Sequence, residues 1–279
     1  MKFVRFGPRG EERPGVVFDN DTIVDISSLI DDIGPATIAT LGEVASQVDP
    51  TTLRSTELSS VRLGSPVARP HKILGIGLNY VDHASEAEME VPEEPIVFQK
   101  ATSSLSGPFD DILLPPGAEK VDWEVELGVV IGTEARYLSS PDDARAVVAG
   151  YTIAHDVSER AFQLERSGQW TKGKSADTFS PLGPWLVTPD EVPESLDLHI
   201  ECRVNGVTKQ RSRTSAMLFS VDHIIWHLSQ FMTLEPGDVI MTGTPPGVGL
   251  STGEYLKDGD VVELEIEGLG LQRQTCRRS

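Results

Sequence analysis

Val121-Asp122-Trp123-Glu124-Val125-Glu126-Leu127-Gly128-Val129-Val130-Ile131 is the stretch from which the fold can be read. Its apolar residues at 123, 125, 127, 129 and 131 recur at every second position, the period of a strand with one face in a core. Asp122, Glu124 and Glu126 share the opposite face. Neighbouring carboxylates repel and resist leaving water unless something cationic sits between them. A hard divalent cation with oxygen ligands meets that need, since Mg2+ commonly takes one or two protein carboxylates plus water and substrate. A solvated strand face accounts for the same residues in so acidic a chain, and only the rest of the sequence separates the two.

The 279 residues are enough for one large domain, or a main domain with a small appendage. An apolar fraction of 39% and a charged fraction of 24% are ordinary for a soluble protein. The net charge of −19 argues against nucleic acid and anionic membrane as partners, because phosphate binding relies on clustered Lys and Arg. An anionic substrate stays possible, because a site answers to local charge. Met1–Pro8 has no apolar run of the signal-peptide kind, and no stretch is long enough to span a bilayer. Cys202 and Cys276 lack metal-type spacing. A cytoplasmic protein with reduced thiols is expected.

Residues 1–65 read as a small α/β module, with strands at Lys2–Phe6, Gly15–Phe18 and Thr22–Ile26 followed by weak helical fragments. A linker near 64–70 leads to a main domain over 70–279. There, strands are expected at Lys72–Gly77, Ile96–Gln99, Tyr151–His155, Asp238–Met241 and Asp260–Glu267. A helix is compatible with 78–90. Ser140-Pro141-Asp142-Asp143 predicts a helix start reaching toward Gly150. Asn205-Gly206 joins Leu198–Val204 to Val207–Arg211 as a hairpin. Val221, Ile224, Ile225 and Leu228 mark a buried helix. Strands and helices mix without regular alternation, so the class is α+β with a β-rich core.

Asp156, at the end of a predicted strand, would complete a three-carboxylate set with Glu124 and Glu126; it, or Ser158, also serves as a cap for a helix running to Gly168. Arg160 and Gln163 share a face of that helix and either hold a polar substrate or decorate a surface. His83 and Glu86, three apart, fall on one helical face, where the carboxylate would orient the imidazole to take a proton from water; on local grounds a surface i,i+3 ion pair fits so acidic a segment better. Lys172 and Lys174 face one way if their segment is extended, as oxygen-binding cations or as solvated lysines. Thr242-Gly243-Thr244-Pro245-Pro246-Gly247-Val248-Gly249 lacks the Gly-Lys-Ser/Thr ending of a P-loop, so nucleotide binding is rejected and its N–H groups and hydroxyls are left for a carboxylate, or for a plain tight loop. His223 and His227 lack the Glu of a His-Glu-x-x-His zinc helix.

Taken together, Gly77-Leu78-Asn79-Tyr80-Val81-Asp82-His83, Asp122-Trp123-Glu124-Val125-Glu126-Leu127, His155-Asp156-Val157-Ser158-Glu159-Arg160, Lys174-Ser175-Ala176-Asp177 and Thr242-Gly243-Thr244-Pro245 resemble the fumarylacetoacetate hydrolase superfamily, in order over residues 70–270. The resemblance implies a mixed β-sandwich roll, usually a homodimer. It implies Mg2+ or Mn2+ on Glu124, Glu126 and Asp156. It further implies a catalytic His83–Glu86 pair with Lys174, and substrate contacts from Arg160, Gln163 and Thr244. The implied substrate is a small 2-oxo acid, and the implied reaction is hydrolysis of the C–C bond of a 2,4-dioxo acid, either an acylpyruvate or a 2,4-diketo-3-deoxy sugar acid. Residues 162–174 look most like the sugar-acid members. Decarboxylation of oxaloacetate, isomerisation of a 2-hydroxyhepta-2,4-diene-1,7-dioate and an inert ligand-binding relative are the alternatives.

Overall fold

The computed structural model describes residues 1–80 and 91–279. His83, Glu86 and most of the helix expected over 78–90 therefore lie outside the described residues. Leu78, which is described, has φ 55° and turns the chain as it leaves its strand.

The chain opens with a meander of β1 (Lys2–Phe6), β2 (Arg13–Phe18), β3 (Thr22–Asp25) and, after a helix at Leu41–Gln47, β4 (Ser55–Glu57). Next come β5 (Ile73–Gly77), β6 (Ile96–Lys100), the short β7 (Leu105–Ser106), β8 (Ile112–Leu114), β9 (Val121–Asp122), β10 (Val125–Ile131) and β11 (Val148–His155). The chain is completed by β12 (Ser158–Glu159), β13 (Ser180–Val187), β14 (His199–Val204), β15 (Val207–Arg213), β16 (Val239–Met241), β17 (Val261–Ile266) and β18 (Gly270–Arg278). The main sheet runs β4-β3-β2-β1-β13-β11-β10-β16-β5-β6, with β7 on β13. A second, five-stranded sheet runs β15-β14-β17-β18-β8. Both are open, and their inner faces pack as a sandwich in which Val125, Leu127 and Val129 share a core with Ile200, Cys202 and Leu264. The leading strands join the main sheet where Lys2 and Phe3 pair with Val187 and Leu186.

β10 sits in the middle of the main sheet, and all of its residues are buried. Only one buried face was expected. The second face is covered because Val130 packs under the leading residues, with Phe3, Val16, Ile33 and Leu186, while Glu126 on the same side enters a cavity. The acidic face is thus not solvated. The predicted single strand also divides: Val121–Asp122 pairs with Ser158–Glu159, and regular pairing with β11 begins at Val125.

The Asn205-Gly206 hairpin forms as expected, with both residues at positive φ, and the buried helix spans Val221–Phe231. The helix expected after Ser140 does not extend. Ser140 and Asp143 complete a capping box, but only 3-10 turns follow, because from Val148 the chain pairs as β11. Sheet pairing of the β-branched residues wins over the cap. The sequence pattern does not show the long β13, which is buried but for Trp185, or β18, which alternates buried Gln272, Gln274 and Cys276 with more exposed residues. Among the described residues no helix is long and apolar enough to cross a membrane. Both cysteines are free and buried.

Candidate functional site

Antiparallel pairing sets Val125 opposite His155, which brings the residues before and after them, Glu124 and Asp156, side by side. The Asp156 N–H donates to the Glu124 carbonyl at 3.0 Å. Glu126, one pleat on, points the same way as Glu124. Each carboxylate offers an oxygen such that all three lie within 4.8 Å of one another, and all three residues are buried. It is the one such cluster of metal-ligating side chains among the described residues. The carboxylates predicted to gather do gather.

Lys174 reaches into this set, with Nζ 2.7 Å from Glu124 Oε2 and 2.6 Å from Asp156 Oδ2. Its segment is a short helix, Thr171–Lys174, and not extended chain, so Lys172 points to solvent while Lys174 is buried. Arg160 and Gln163 meet on the helix Arg160–Leu164, as their spacing predicts. The Arg160 guanidinium donates to Asp122 Oδ2 at 2.8 Å, to Glu124 Oε1 at 2.6 Å and to Gln163 Oε1 at 3.0 Å. Neither Asp156 nor Ser158 caps that helix. Glu159 does, accepting from the Phe162 N–H at 2.5 Å, while Asp156 is held by lysines.

The loop after β16 does bind a carboxylate, but one of the chain's own. Gly243 N donates to Glu126 Oε2 at 2.6 Å, and farther on Gly249 N and Leu250 N donate to Asp122 at 2.6 and 2.9 Å. Thr244 spends its hydroxyl proton on the Val125 carbonyl at 2.9 Å and accepts from Gln210 at 2.8 Å. Toward any ligand this hydroxyl can only accept.

Lys100 was missed. Fully buried, it donates to Asp156 Oδ1, to Val157 O at 3.2 Å and to Phe179 O at 2.8 Å. Its signal was present: in Ile96–Lys100 the lysine falls in phase with buried Phe98. Asp122 also differs from expectation. Its oxygens are occupied by Arg160 and three backbone N–H groups, so it orients Arg160 and does not face the gap between the other acids.

Burial, with Asp156 and Glu124 close by, raises the Glu126 carboxyl well above the usual carboxylate range. Burial lowers Lys100 despite Asp156, whereas for Lys174 the carboxylates Asp156 and Glu124 outweigh burial and raise it. Burial also pushes His155 down to about 3. Among the described residues four carboxylates (Asp122, Glu124, Glu126, Asp156) meet three cations (Lys100, Arg160, Lys174). Fully ionised, the set is one negative charge out of balance. A divalent cation would leave one positive charge, which a substrate carboxylate would neutralise. Hard oxygen donors, burial and the strained ionisation of Glu126 all fit Mg2+ or Mn2+ held by Glu124, Glu126 and Asp156. The cavity beside them is lined on its polar side by Glu124, Glu126, Arg160, Gln163, Lys174 and Thr244.

A family model described as fumarylacetoacetate (FAA) hydrolase C-terminal matches residues 72–277. A Burkholderia ambifaria protein provisionally named a hydrolase is 49% identical over 285 aligned residues, covering 100% of each chain. Among solved structures, fumarylacetoacetate hydrolase from Exiguobacterium antarcticum is 37% identical with a TM-score of 0.88, covering 100% of both chains. Maleylpyruvate hydrolase from Sphingobium sp. SYK-6, in complex with manganese(II) and pyruvate, is 30% identical with a TM-score of 0.84, again covering 100% of both.

Proposed function

Because the chain belongs to the fumarylacetoacetate hydrolase family, we propose that it is a divalent-metal-dependent hydrolase cleaving the C–C bond of a 2,4-dioxo acid. The observation that carries this reading is the buried carboxylate trio of Glu124, Glu126 and Asp156 with Lys174 wedged against two of its members. The manganese and pyruvate of the similar maleylpyruvate hydrolase support it.

Bound to Glu124, Glu126 and Asp156, Mg2+ or Mn2+ would supply Lewis-acid chemistry toward the oxygens of a 2-oxo acid. Lys174 would stand ready for the negative charge that develops when the bond beyond C3 breaks and its electron pair moves into a pyruvate enolate. Arg160, fixed by Asp122 and Glu124, sets the Gln163 amide so that its nitrogen is available to donate to a substrate oxygen. His83, with Glu86 three residues on, would take a proton from the water that adds to the distal carbonyl and return it to the departing carbon. Water thus adds across the bond, giving a carboxylic acid and pyruvate.

Decarboxylation of oxaloacetate is the second reading. The described site groups all act on the enolate side of the reaction, and decarboxylation needs no activated water. A panel of 2-oxo and 2,4-dioxo acids, assayed with Mg2+ and Mn2+, tests both. Cleavage of acylpyruvates that is lost in His83→Ala supports hydrolysis. Turnover of oxaloacetate alone, unaffected by His83→Ala, replaces it with decarboxylation, and no turnover anywhere contradicts both.

A further inference from the structure

The rest of the cavity lining is different in kind. It is built by Ile76, Leu78, Phe98, Leu164, Trp170 and Leu250. Phe98 and Trp170 form a pair, with ring centroids 5.5 Å apart and planes inclined at 58°. Lys174 Nζ lies 4.9 Å from the Phe98 centroid, so the aromatic wall begins where the polar cluster ends. The rings rest on bare backbone of β5. A Cβ on Gly75 would come within 2.2 Å of Phe98, and one on Gly77 within 2.5 Å of Trp170. Any side chain at these two positions would displace the rings from where they pack.

Charge is distributed just as unevenly. Among the described residues, every charged group lining the cavity (Glu124, Glu126, Arg160, Lys174) belongs to the acid cluster and already has partners there. A second carboxylate on a substrate, or a row of hydroxyls, would be desolvated against rings and alkyl groups, where among the described residues no charged side chain receives it and the Trp170 indole supplies the only side-chain N–H. A phenyl or short alkyl group would be buried there favourably.

We infer that this site selects 2,4-dioxo acids whose acyl end is apolar, with Phe98 and Trp170 as the residues that read it; the inference rests on the reading under Proposed function. It favours acylpyruvates over the sugar acids suggested by residues 162–174, whose hydroxyls this wall would not serve.

The test uses the full chain with Mn2+ and three substrates: acetylpyruvate, benzoylpyruvate and succinylpyruvate, which ends in a carboxylate. Benzoylpyruvate should exceed succinylpyruvate in kcat/KM by about 10–200-fold, the range over which an apolar pocket discriminates. Trp170→Ala should lower the benzoylpyruvate-to-acetylpyruvate ratio about tenfold, chiefly through KM, while Trp170→Phe should keep most of it. Equal or better use of succinylpyruvate, or an unchanged ratio in Trp170→Ala, overturns the inference. A binding arm is independent of turnover, with phenylpyruvate and 2-oxoglutarate titrated calorimetrically into the Mn2+-loaded protein. Tighter phenylpyruvate supports the wall, and equal or tighter 2-oxoglutarate overturns it. Failure to cleave any of the three substrates contradicts hydrolysis, and the binding arm then decides the wall by itself.

Discussion

Gly243 presents its backbone N–H to Glu126 Oε2 at 2.6 Å, from a conformation with φ 99°. A Cβ at this position would lie 2.6 Å from the Asn79 Cβ, and Asn79 is itself pinned by Phe219 and the Thr242 carbonyl. The donor that holds the middle carboxylate is therefore available only because residue 243 has no side chain.

Gly243→Ala should accordingly cost about 1–3 kcal/mol of stability in urea unfolding, the usual range for one strained backbone position. It should also weaken Mn2+ binding by about tenfold, the scale on which groups that orient metal ligands act. Lost stability with unchanged Mn2+ affinity would show that the loop braces the fold without aligning Glu126.

Lys174 shares Glu124 and Asp156 with the expected cation. Lys174→Met removes a competing positive charge and leaves the carboxylates in place. Mn2+ affinity should hold or rise, while kcat falls by about 10²–10³-fold, as for loss of one group that stabilises developing charge. A parallel loss of binding and turnover would make Lys174 a brace for the acids and remove its part in the chemistry.

Asp122, although on the acidic face, points at Arg160 and the N–H groups of Gly249 and Leu250. Asp122→Asn should destabilise the protein by about 1–3 kcal/mol through the weakened charged hydrogen bonds. Metal titration should find Mn2+ affinity changed by no more than about threefold, against a loss of about 10-fold or more for each of Glu124→Gln, Glu126→Gln and Asp156→Asn. A ligand-sized loss in Asp122→Asn would place a fourth acid on the cation.

His155 gives a pH prediction. The Gln274 amide donates to Pro108 O at 2.6 Å and to Gln272 Oε1 at 3.0 Å, so its own oxygen accepts from His155 Nδ1 at 3.0 Å. His155 Nε2 is buried and has no hydrogen-bond partner among the described residues. Burial keeps this ring neutral down to about pH 3, whereas the unfolded chain takes up the proton near its ordinary value of 6.5. Between those values the unfolded state binds more protons, so stability is present above pH 6.5 and is lost as pH falls toward 3. The slope from this group approaches about 1.4 kcal/mol per pH unit. Urea unfolding from pH 7 to 4 should show His155→Asn with a shallower loss, by about one proton; equal slopes would mean that the ring is protonated in the fold.

The acids were legible because a strand alternates, so Glu124 and Glu126 had to share a side whatever lay across from them. Arg160 and Gln163 were legible for the corresponding helical reason. The partners of these residues were not. Lys100 meets Asp156 from 56 positions away, and Gly243 meets Glu126 from 117. Local pattern is silent about such approaches, because sheet order sets them, and β16 lies beside β10 only in the folded molecule. The same ignorance turned Asp156 and Ser158 into helix caps and the Ser140 cap into a helix. Each had sound local chemistry, and each was overruled by a strand pairing formed across the chain.

The central claim is that Glu124, Glu126 and Asp156 grip one divalent cation, and calorimetric titration of Mn2+ into the purified protein tests it most directly. The account predicts one ion per chain, with affinity reduced at least tenfold in Glu126→Gln and thermal unfolding of the native protein shifted upward by the metal. A native protein that takes up no Mn2+, or a Glu126→Gln variant that binds it as tightly as the native chain, would contradict it.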